Sequence, residues 1–163
     1  MIRIAVISDS HVPDRASAIP DTFRERIRAA DHVVHAGDLT SQGLLDEVEY
    51  LAGGRLTAVH GNVDPRNLGL PAVTTLVVEG VPFVVTHGSG SPRGYESRVA
   101  RVVREEGGAD AVGIAGHTHE VLDTSVDGVR LLNPGSVTGA APATRATMLT
   151  VDDGAIDVTI HER

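Results

Sequence analysis

The sequence predicts an α/β protein in which two mixed β-sheets pack face to face with helices on their outer sides. Apolar runs rich in β-branched residues alternate with amphipathic helical patterns as far as residue 119, as in strand–helix–strand units. Beyond that residue the chain reads as strands alone. The dipeptides Asp127-Gly128 and Asp153-Gly154 are typical of hairpin turns between such strands. No linker or repeat divides the chain, so we expect a single domain over residues 1–163.

The first part of the chain reads as two strand–helix units. Ile2–Ile7 and His32–His35 have the nearly continuous apolar pattern of strands covered on both faces. Between them, Pro20–Ala30 predicts a helix, because proline suits a first turn and the apolar residues recur at i, i+4 and i+7. Ser41 is a good cap for a second helix, which stops at Gly53-Gly54.

The rest of the chain adds a hairpin, a third helix and further strands. The hairpin is expected to turn at Gly80-Val81-Pro82. Tyr95–Glu106 predicts a helix with a valine-rich buried face, which ends before a pair of glycines. The predicted strands are Leu56–Val59, Val73–Glu79, Val81–Thr86, Ala111–Ala115, Val121–Val126, Val129–Leu132, Thr147–Val151 and Ile156–Ile160.

The composition excludes several kinds of site and partner. Cysteine is absent, which excludes disulfides and thiolate metal sites and leaves His, Asp, Glu and Asn as metal ligands. A net charge of −8 without a basic stripe argues against a nucleic-acid partner. No apolar run has the length of a signal peptide or a membrane span, so we expect a cytoplasmic protein without membrane contact. A homo-oligomer stays open.

Side chains suited to metal binding follow five predicted strands at their carboxyl ends, where open α/β sheets place their ligands. Gly116-His117-Thr118-His119 is the clearest case, although His-x-His alone could be a polar turn. The full set is Asp9, His11, Asp38, Asn62, His87, His117 and His119. Seven such residues suffice for two metal ions, which could share a carboxylate and clamp a phosphoryl group between them. Asp38, with two oxygens and a central place in the order, is the candidate bridge.

These residues lie in motifs that together resemble a known family. Asp9-x-His11, Gly37-Asp38, Gly61-Asn62, His87 and Gly116-His117-x-His119 are similar, in order and spacing, to the five signature blocks of the calcineurin-like metallophosphoesterases. The compact length and the late Asn133-Pro134-Gly135-Ser136 resemble the small bacterial and archaeal phosphodiesterase branch of that family.

The resemblance implies a four-layer αββα sandwich and a metal-dependent phosphodiesterase. Its small phosphoester substrate would undergo in-line attack by a hydroxide that bridges two divalent ions. One ion would be held by Asp9, His11 and His119, and the other by Asn62, His87 and His117, with Asp38 between them. Manganese is the metal expected first, with nickel, iron, zinc or magnesium as alternatives. The residues expected to act in catalysis are Asp38, Asn62, His117 and Asp64.

The third block departs from the family pattern. Many relatives have Gly-Asn-His there and use that histidine to protonate the leaving group, whereas this chain has Val63. Asp64, a metal-bound water or no group at all would then supply the proton. This puts cleavage of alkyl phosphate monoesters in doubt. The alternative functions are a phosphomonoesterase or nucleotide pyrophosphatase of the same chemistry, or a non-catalytic binding scaffold of the same fold.

Overall fold

A computed structural model of the protein describes residues 1–153 and 157–163, and within them places ten strands and three α-helices. The strands are β1 Arg3–Ile7, β2 His32–His35, β3 Leu56–Ala58, β4 Val73–Val78, β5 Val81–Thr86, β6 Val112–Ile114, β7 Val121–Val126, β8 Val129–Pro134, β9 Thr147–Asp152 and β10 Asp157–Glu162. The helices are α1 Asp21–Ala29, α2 Gln42–Leu51 and α3 Tyr95–Gly107, with a 3₁₀ turn at Arg66–Leu68.

The strands form two mixed sheets of five strands each. The first has the order β10-β9-β1-β2-β3, and the second has the order β4-β5-β6-β8-β7. Strands β1, β2 and β3 run parallel in the first sheet, as do β5, β6 and β8 in the second, while the remaining strands pair antiparallel. In each sheet, the parallel strands therefore bring several carboxyl ends to one edge.

The alternation of side chains along each strand separates the layers of the core. On β1, Ala5 and Ile7 pack with α1 and α2, whereas Ile4 and Val6 pack between the two sheets. Helix α3 covers the outer face of the second sheet. Burying a large apolar side chain such as Phe23, which is 2% exposed, contributes about 1.5–3 kcal/mol. The layer order is helix–sheet–sheet–helix, so the predicted αββα sandwich is confirmed.

Several strand and helix boundaries differ from the sequence prediction by one or two residues, and the predicted position of one hairpin turn was wrong. The hairpin between β4 and β5 turns at Glu79-Gly80, where both residues have positive φ, of 50° and 80°. Pro82 instead lies within β5 and pairs with Val77. Positive φ at both central residues matches the twist of a tight hairpin, which explains why the strands close earlier than expected. Gly154 and Ile156, from the predicted last turn and strand, lie outside the described residues.

None of the helices in the described part of the chain combines the length and apolar character that crossing a bilayer requires.

Candidate metal centre

The loops that follow β1, β2, β3, β5 and β6 meet at one edge of the sandwich. The backbone N–H of Asp9 donates to the Gly37 carbonyl at 2.9 Å, which continues the β1–β2 pairing beyond the strands. Across the sandwich, the N–H of His117 donates to Oδ2 of Asp9 at 3.0 Å. This bond ties a loop of the second sheet to a loop of the first. The structure thereby brings all seven predicted metal ligands to one place.

Asp9, His11 and His119 form a first group whose ligand atoms lie within 4.8 Å of one another. Oδ1 of Asp9 is 3.3 Å from Nε2 of His119 and 3.9 Å from Nε2 of His11. The other carboxylate oxygen, Oδ2, accepts a hydrogen bond from the Ser8 hydroxyl at 2.7 Å. One oxygen of Asp9 is thus fixed by the protein while the other faces the two imidazoles.

Asp38, His87 and His117 form a second group with ligand atoms within the same 4.8 Å limit. Oδ2 of Asp38 is 3.1 Å from Nε2 of His87 and 3.6 Å from Nε2 of His11, which belongs to the first group. The two groups therefore meet at Asp38, the residue predicted to lie between two ions.

Hydrogen bonds fix the tautomers of two of these histidines. A carbonyl can only accept, so Nδ1 of His87 donates to the Ala36 carbonyl at 2.7 Å, and Nδ1 of His119 donates to the Ala140 carbonyl at 2.8 Å. In the neutral ring, Nε2 then carries a lone pair. Both lone pairs point towards the carboxylates, as a metal ligand requires.

His117 presents its other nitrogen. Its Nε2 donates to the Gly90 carbonyl at 2.8 Å, and its Nδ1 lies 3.1 Å from Oδ1 of Asn62. The neutral ring therefore directs the Nδ1 lone pair towards an amide oxygen. A cation between these two acceptors would bind both.

The donor set fits a divalent cation. Oδ1 of Asp9 and Nε2 of both His11 and His87 are buried without a hydrogen-bond partner among the described residues. Unpartnered buried polar atoms are rare because each has lost its water without replacement. Cations at their convergence would satisfy these atoms, and nitrogen and oxygen ligands of this kind suit first-row divalent metals.

The carboxylates and imidazoles shift one another's ionisation. Burial opposes the charge of Asp9, but His11 and His119 hold the pKa of its carboxyl well below the usual range. Burial likewise acts against the charge of Asp38, and His87 lowers the pKa of that carboxyl. The carboxylates in turn raise the pKa of His87 and of His119 above the ordinary value, although burial acts against this. Protons therefore compete with metal for the Nε2 atoms of these two imidazoles.

The backbone at the site is strained. Left-handed φ values are uncommon for residues other than glycine. Nine such residues occur in the described part of the chain, and five of them are predicted ligands. These five are Asp9 (φ 52°), His11 (φ 47°), Asp38 (φ 61°), His117 (φ 75°) and His119 (φ 62°). Strained residues cluster at functional sites, where surrounding contacts enforce the geometry.

Glycines allow the loops to approach closely. A Cβ on Gly37, which has a φ of 101°, would lie 2.6 Å from Nδ1 of His87. A Cβ on Gly116 would lie 2.6 Å from Oδ2 of Asp9. Both glycines directly precede a predicted ligand, so a side chain at either position would push the two loops apart.

Asp64, predicted as a catalytic residue, accepts hydrogen bonds from backbone N–H groups in this structure. Its Oδ2 accepts from the N–H groups of Asp38 at 2.9 Å and Gly61 at 2.8 Å, and its Oδ1 accepts from that of Thr40 at 2.7 Å. Both carboxylate oxygens are thus occupied by protein donors. The neighbouring Val63 side chain is 44% exposed at the rim, and its N–H donates to Oδ1 of Asp38 at 3.0 Å.

Sequence reasoning did not identify the groups that hold the ligands in place. Nδ2 of Asn133 donates to the Gly116 carbonyl at 3.0 Å and lies 3.1 Å from the Tyr95 hydroxyl, which also donates to that carbonyl. Ser136 donates from its hydroxyl to the Asp9 carbonyl at 2.8 Å. The motif Asn133-Pro134-Gly135-Ser136 therefore contacts both ligand loops.

Two further histidines near the site differ in their contacts. His35 is fully buried, accepts from the Gly37 N–H at 3.1 Å and donates to the Ser10 hydroxyl at 2.8 Å. Burial lowers its pKa to about 4, so it is neutral near pH 7. It thereby supports the loop that carries Asp38. His60 contributes no ring hydrogen bond to the predicted ligands within the described residues, and its Nε2 is buried without a partner.

The calcineurin-like phosphoesterase superfamily domain matches residues 2–154 of this sequence. The chain belongs to this phosphoesterase family. Among its relatives, a probable metallophosphoesterase of Methanothermobacter thermautotrophicus is 41% identical over 137 residues, which cover 83% of this chain and 77% of that protein. A phosphodiesterase of Methanocaldococcus jannaschii is 28% identical over 153 residues, covering 85% of this chain and 86% of that one.

The fold of this family is also found in Vps29. Wild-type Vps29 of Entamoeba histolytica in complex with Zn²⁺ is similar with a TM-score of 0.76 and 27% identity, over 99% of this chain and 91% of that one. The family predicted from five short motifs is confirmed, whereas the assignment of individual ligands stays a prediction.

Proposed function

We propose that this phosphoesterase is a metal-dependent phosphodiesterase that uses two divalent ions. The observation that carries the proposal is the convergence of two ligand groups on Oδ2 of Asp38, at 3.1 Å from His87 and 3.6 Å from His11. One ion would be held by Asp9, His11 and His119, and the other by Asn62, His87 and His117. The phosphodiesterase of Methanocaldococcus jannaschii, 28% identical, supports the reaction class.

Asp38 is the residue that both ions would share. Its Oδ2 faces Nε2 of His87 and of His11, while its Oδ1 accepts from the Val63 N–H at 3.0 Å, which holds the carboxylate in place. Asp64 supports this arrangement by accepting from the Asp38 N–H at 2.9 Å.

Two divalent ions at such a site supply an activated water and neutralise charge on the phosphoryl group. Hydrolysis adds that water across one P–O bond and yields a phosphomonoester and an alcohol. The contribution of the chain is to hold Asp9 and Asp38 as anions and to fix the neutral tautomer in which Nε2 of His87 and of His119 carries the lone pair. Manganese is the first choice of metal, with nickel, iron, zinc and magnesium as alternatives.

The leaving oxygen finds no strong proton donor in the third block. The carboxyl of Asp64 already accepts from three N–H groups, and we assign it a positioning role in place of the predicted acid. Val63 cannot donate through its side chain. Substrates whose leaving group is stable as an anion are therefore favoured.

Two of the cavities beside the centre adjoin each other and favour a diester. One, of about 580 Å³, is lined in part by His117, and the other, of about 360 Å³, in part by His119. They share a wall formed by Glu120, Val121 and Pro142. A phosphodiester has two ester arms, and each cavity could hold one of them while the phosphoryl group lies between.

The decisive experiment strips the protein of metal and refills it separately with Mn²⁺, Ni²⁺, Zn²⁺, Fe²⁺ or Mg²⁺. Bis(p-nitrophenyl) phosphate and p-nitrophenyl phosphate then compare a diester with a monoester. We expect two bound ions per chain and faster turnover of the diester. Faster monoester turnover would favour the phosphomonoesterase alternative. Tight metal binding without turnover of any phosphoester would favour a binding scaffold, the alternative to which the similarity with Vps29 lends support.

A further inference from the structure

The cavity of about 580 Å³ beside His117 is lined by negatively charged side chains. It extends from the metal centre along the first turn of α3 and the loop after His119. Apart from His117 and Tyr95, the titratable side chains that line it are Glu96 and Glu120, both exposed. Neither carboxylate takes part in an ion pair or a side-chain hydrogen bond within residues 1–153 and 157–163, so both charges are available to a ligand.

The helix end in this cavity does not offset the two carboxylates. The amino terminus of α3 contributes about half a positive charge, whereas Glu96 and Glu120 contribute a full negative charge each. The side chains that line the cavity therefore carry a net negative charge. A ligand with a second phosphate would meet this repulsion in addition to the net charge of −8 on the whole chain.

Much of the remaining wall is apolar. Val121, Leu122, Pro142 and the ring of Tyr95 contribute apolar surface, beside the hydroxyls of Ser97 and Thr118. Apolar walls combined with two carboxylates suit a cation that carries carbon substituents, because the substituents bury apolar area while the charge faces the carboxylates. A small inorganic cation would leave the apolar wall unused.

We propose that this cavity binds a positively charged organic arm of the phosphodiester, such as a trimethylammonium or aminoalkyl ester. The inference rests on the proposed phosphodiesterase function and names its substrate class. Such a substrate is a zwitterion, with the anionic phosphoryl group at the metal centre and the ammonium group between Glu96 and Glu120.

The binding experiment does not depend on turnover. Choline and its neutral carbon isostere, 3,3-dimethyl-1-butanol, are titrated into the full-length zinc-loaded protein, and the backbone amides of Thr118 and Leu122 are followed by NMR. We expect choline to shift these amides and the isostere to leave them unmoved. Glu96→Gln and Glu120→Gln should each weaken choline binding about fivefold. Glu105→Gln, which removes the same charge nine residues further along α3, about 13 Å away, should not.

The kinetic experiment compares p-nitrophenyl phosphorylcholine with methyl p-nitrophenyl phosphate. We expect a higher kcat/KM for the choline ester, and a preference that falls about fivefold in either glutamine variant. Equal binding of choline and its isostere, or an unchanged preference in both variants, would overturn the inference. Selective choline binding without cleavage of any diester would uphold the cavity assignment and instead refute the phosphodiesterase proposal.

Discussion

Oδ2 of Asp38 lies 3.1 Å from Nε2 of His87. In the neutral ring both atoms are acceptors, because Nδ1 of His87 donates to the Ala36 carbonyl. Two acceptors at this distance repel each other unless a proton or a cation lies between them. Burial opposes a charge on His87, but Asp38 and Asp9 raise its pKa, so a proton at this place is favoured when no metal is bound. A divalent ion would replace that proton.

Replacing Asp38 by alanine should lower turnover of bis(p-nitrophenyl) phosphate at least about 100-fold, because both proposed ions lose a shared ligand. Bound metal per chain, measured by elemental analysis, should fall with it. The fold should persist, since the site lies on loops beyond the core. Asp46→Ala is the matched control, because Asp46 is exposed on α2. Near-normal turnover in the Asp38 variant would refute the assigned role.

Val63→His should restore a proton donor at the rim without altering a proposed ligand. A positioned acid contributes about 10² to 10⁴ in rate, and poor leaving groups need it most. We expect the ratio of alkyl-ester to aryl-ester turnover to rise by at least tenfold, measured on paired substrates, while Val63→Leu leaves it unchanged. An unaltered ratio in the histidine variant would mean that another group already supplies the proton.

Asp64→Asn distinguishes an acid from a positioning residue. The side-chain amide that replaces the carboxylate places N–H donors opposite some of the three backbone N–H groups from which Asp64 accepts hydrogen bonds. We expect the free energy of unfolding to fall by about 1–3 kcal/mol, and turnover of aryl and alkyl substrates to fall by the same factor. Chemical denaturation and parallel kinetics measure the two effects. A loss confined to alkyl substrates would identify Asp64 as the acid.

The pH dependence of stability should reverse when metal binds. The pKa of His87 and of His119 is raised in the folded protein, since Asp38 and Asp9 outweigh burial. These groups therefore stabilise the metal-free protein below the unfolded value of about 6.5, and the contribution is lost as pH rises through the folded pKa. Metal needs the neutral rings, so its stabilising effect should grow from about pH 6 to pH 8. Thermal unfolding with and without Zn²⁺ tests this, and an equal increment in Tm at both pH values would contradict it.

The strands and the convergence of the candidate ligands could be predicted because the signals are local. An apolar run followed by Asp9 or by His117 indicates, within a few residues, both a strand and the polar group at its end. The hairpin turn at Glu79-Gly80 was missed because Pro82, two residues after Gly80, gave a competing signal.

The way each ligand is held could not be read from the sequence. His87 and His119 are oriented by the carbonyls of Ala36 and Ala140, which every residue type possesses. The role of Asp64 likewise depends on N–H groups from a distant loop, of which the Thr40 N–H at 2.7 Å is one. These contacts arise only when the folded chain brings separate loops together, and no pattern of side chains along the chain encodes them.

The left-handed backbone at Asp9, Asp38 and His117 implies a trade-off between chemistry and stability. Holding a residue with a side chain in this region costs of order 1 kcal/mol, which glycine would largely avoid. Asp9→Gly or His117→Gly should therefore relax the loops of the metal-free protein while destroying the proposed site. A descendant of this chain that no longer needed metal would gain stability from glycine or asparagine at these positions. Retained aspartate and histidine at such sites would then serve as a record of continued selection for the reaction.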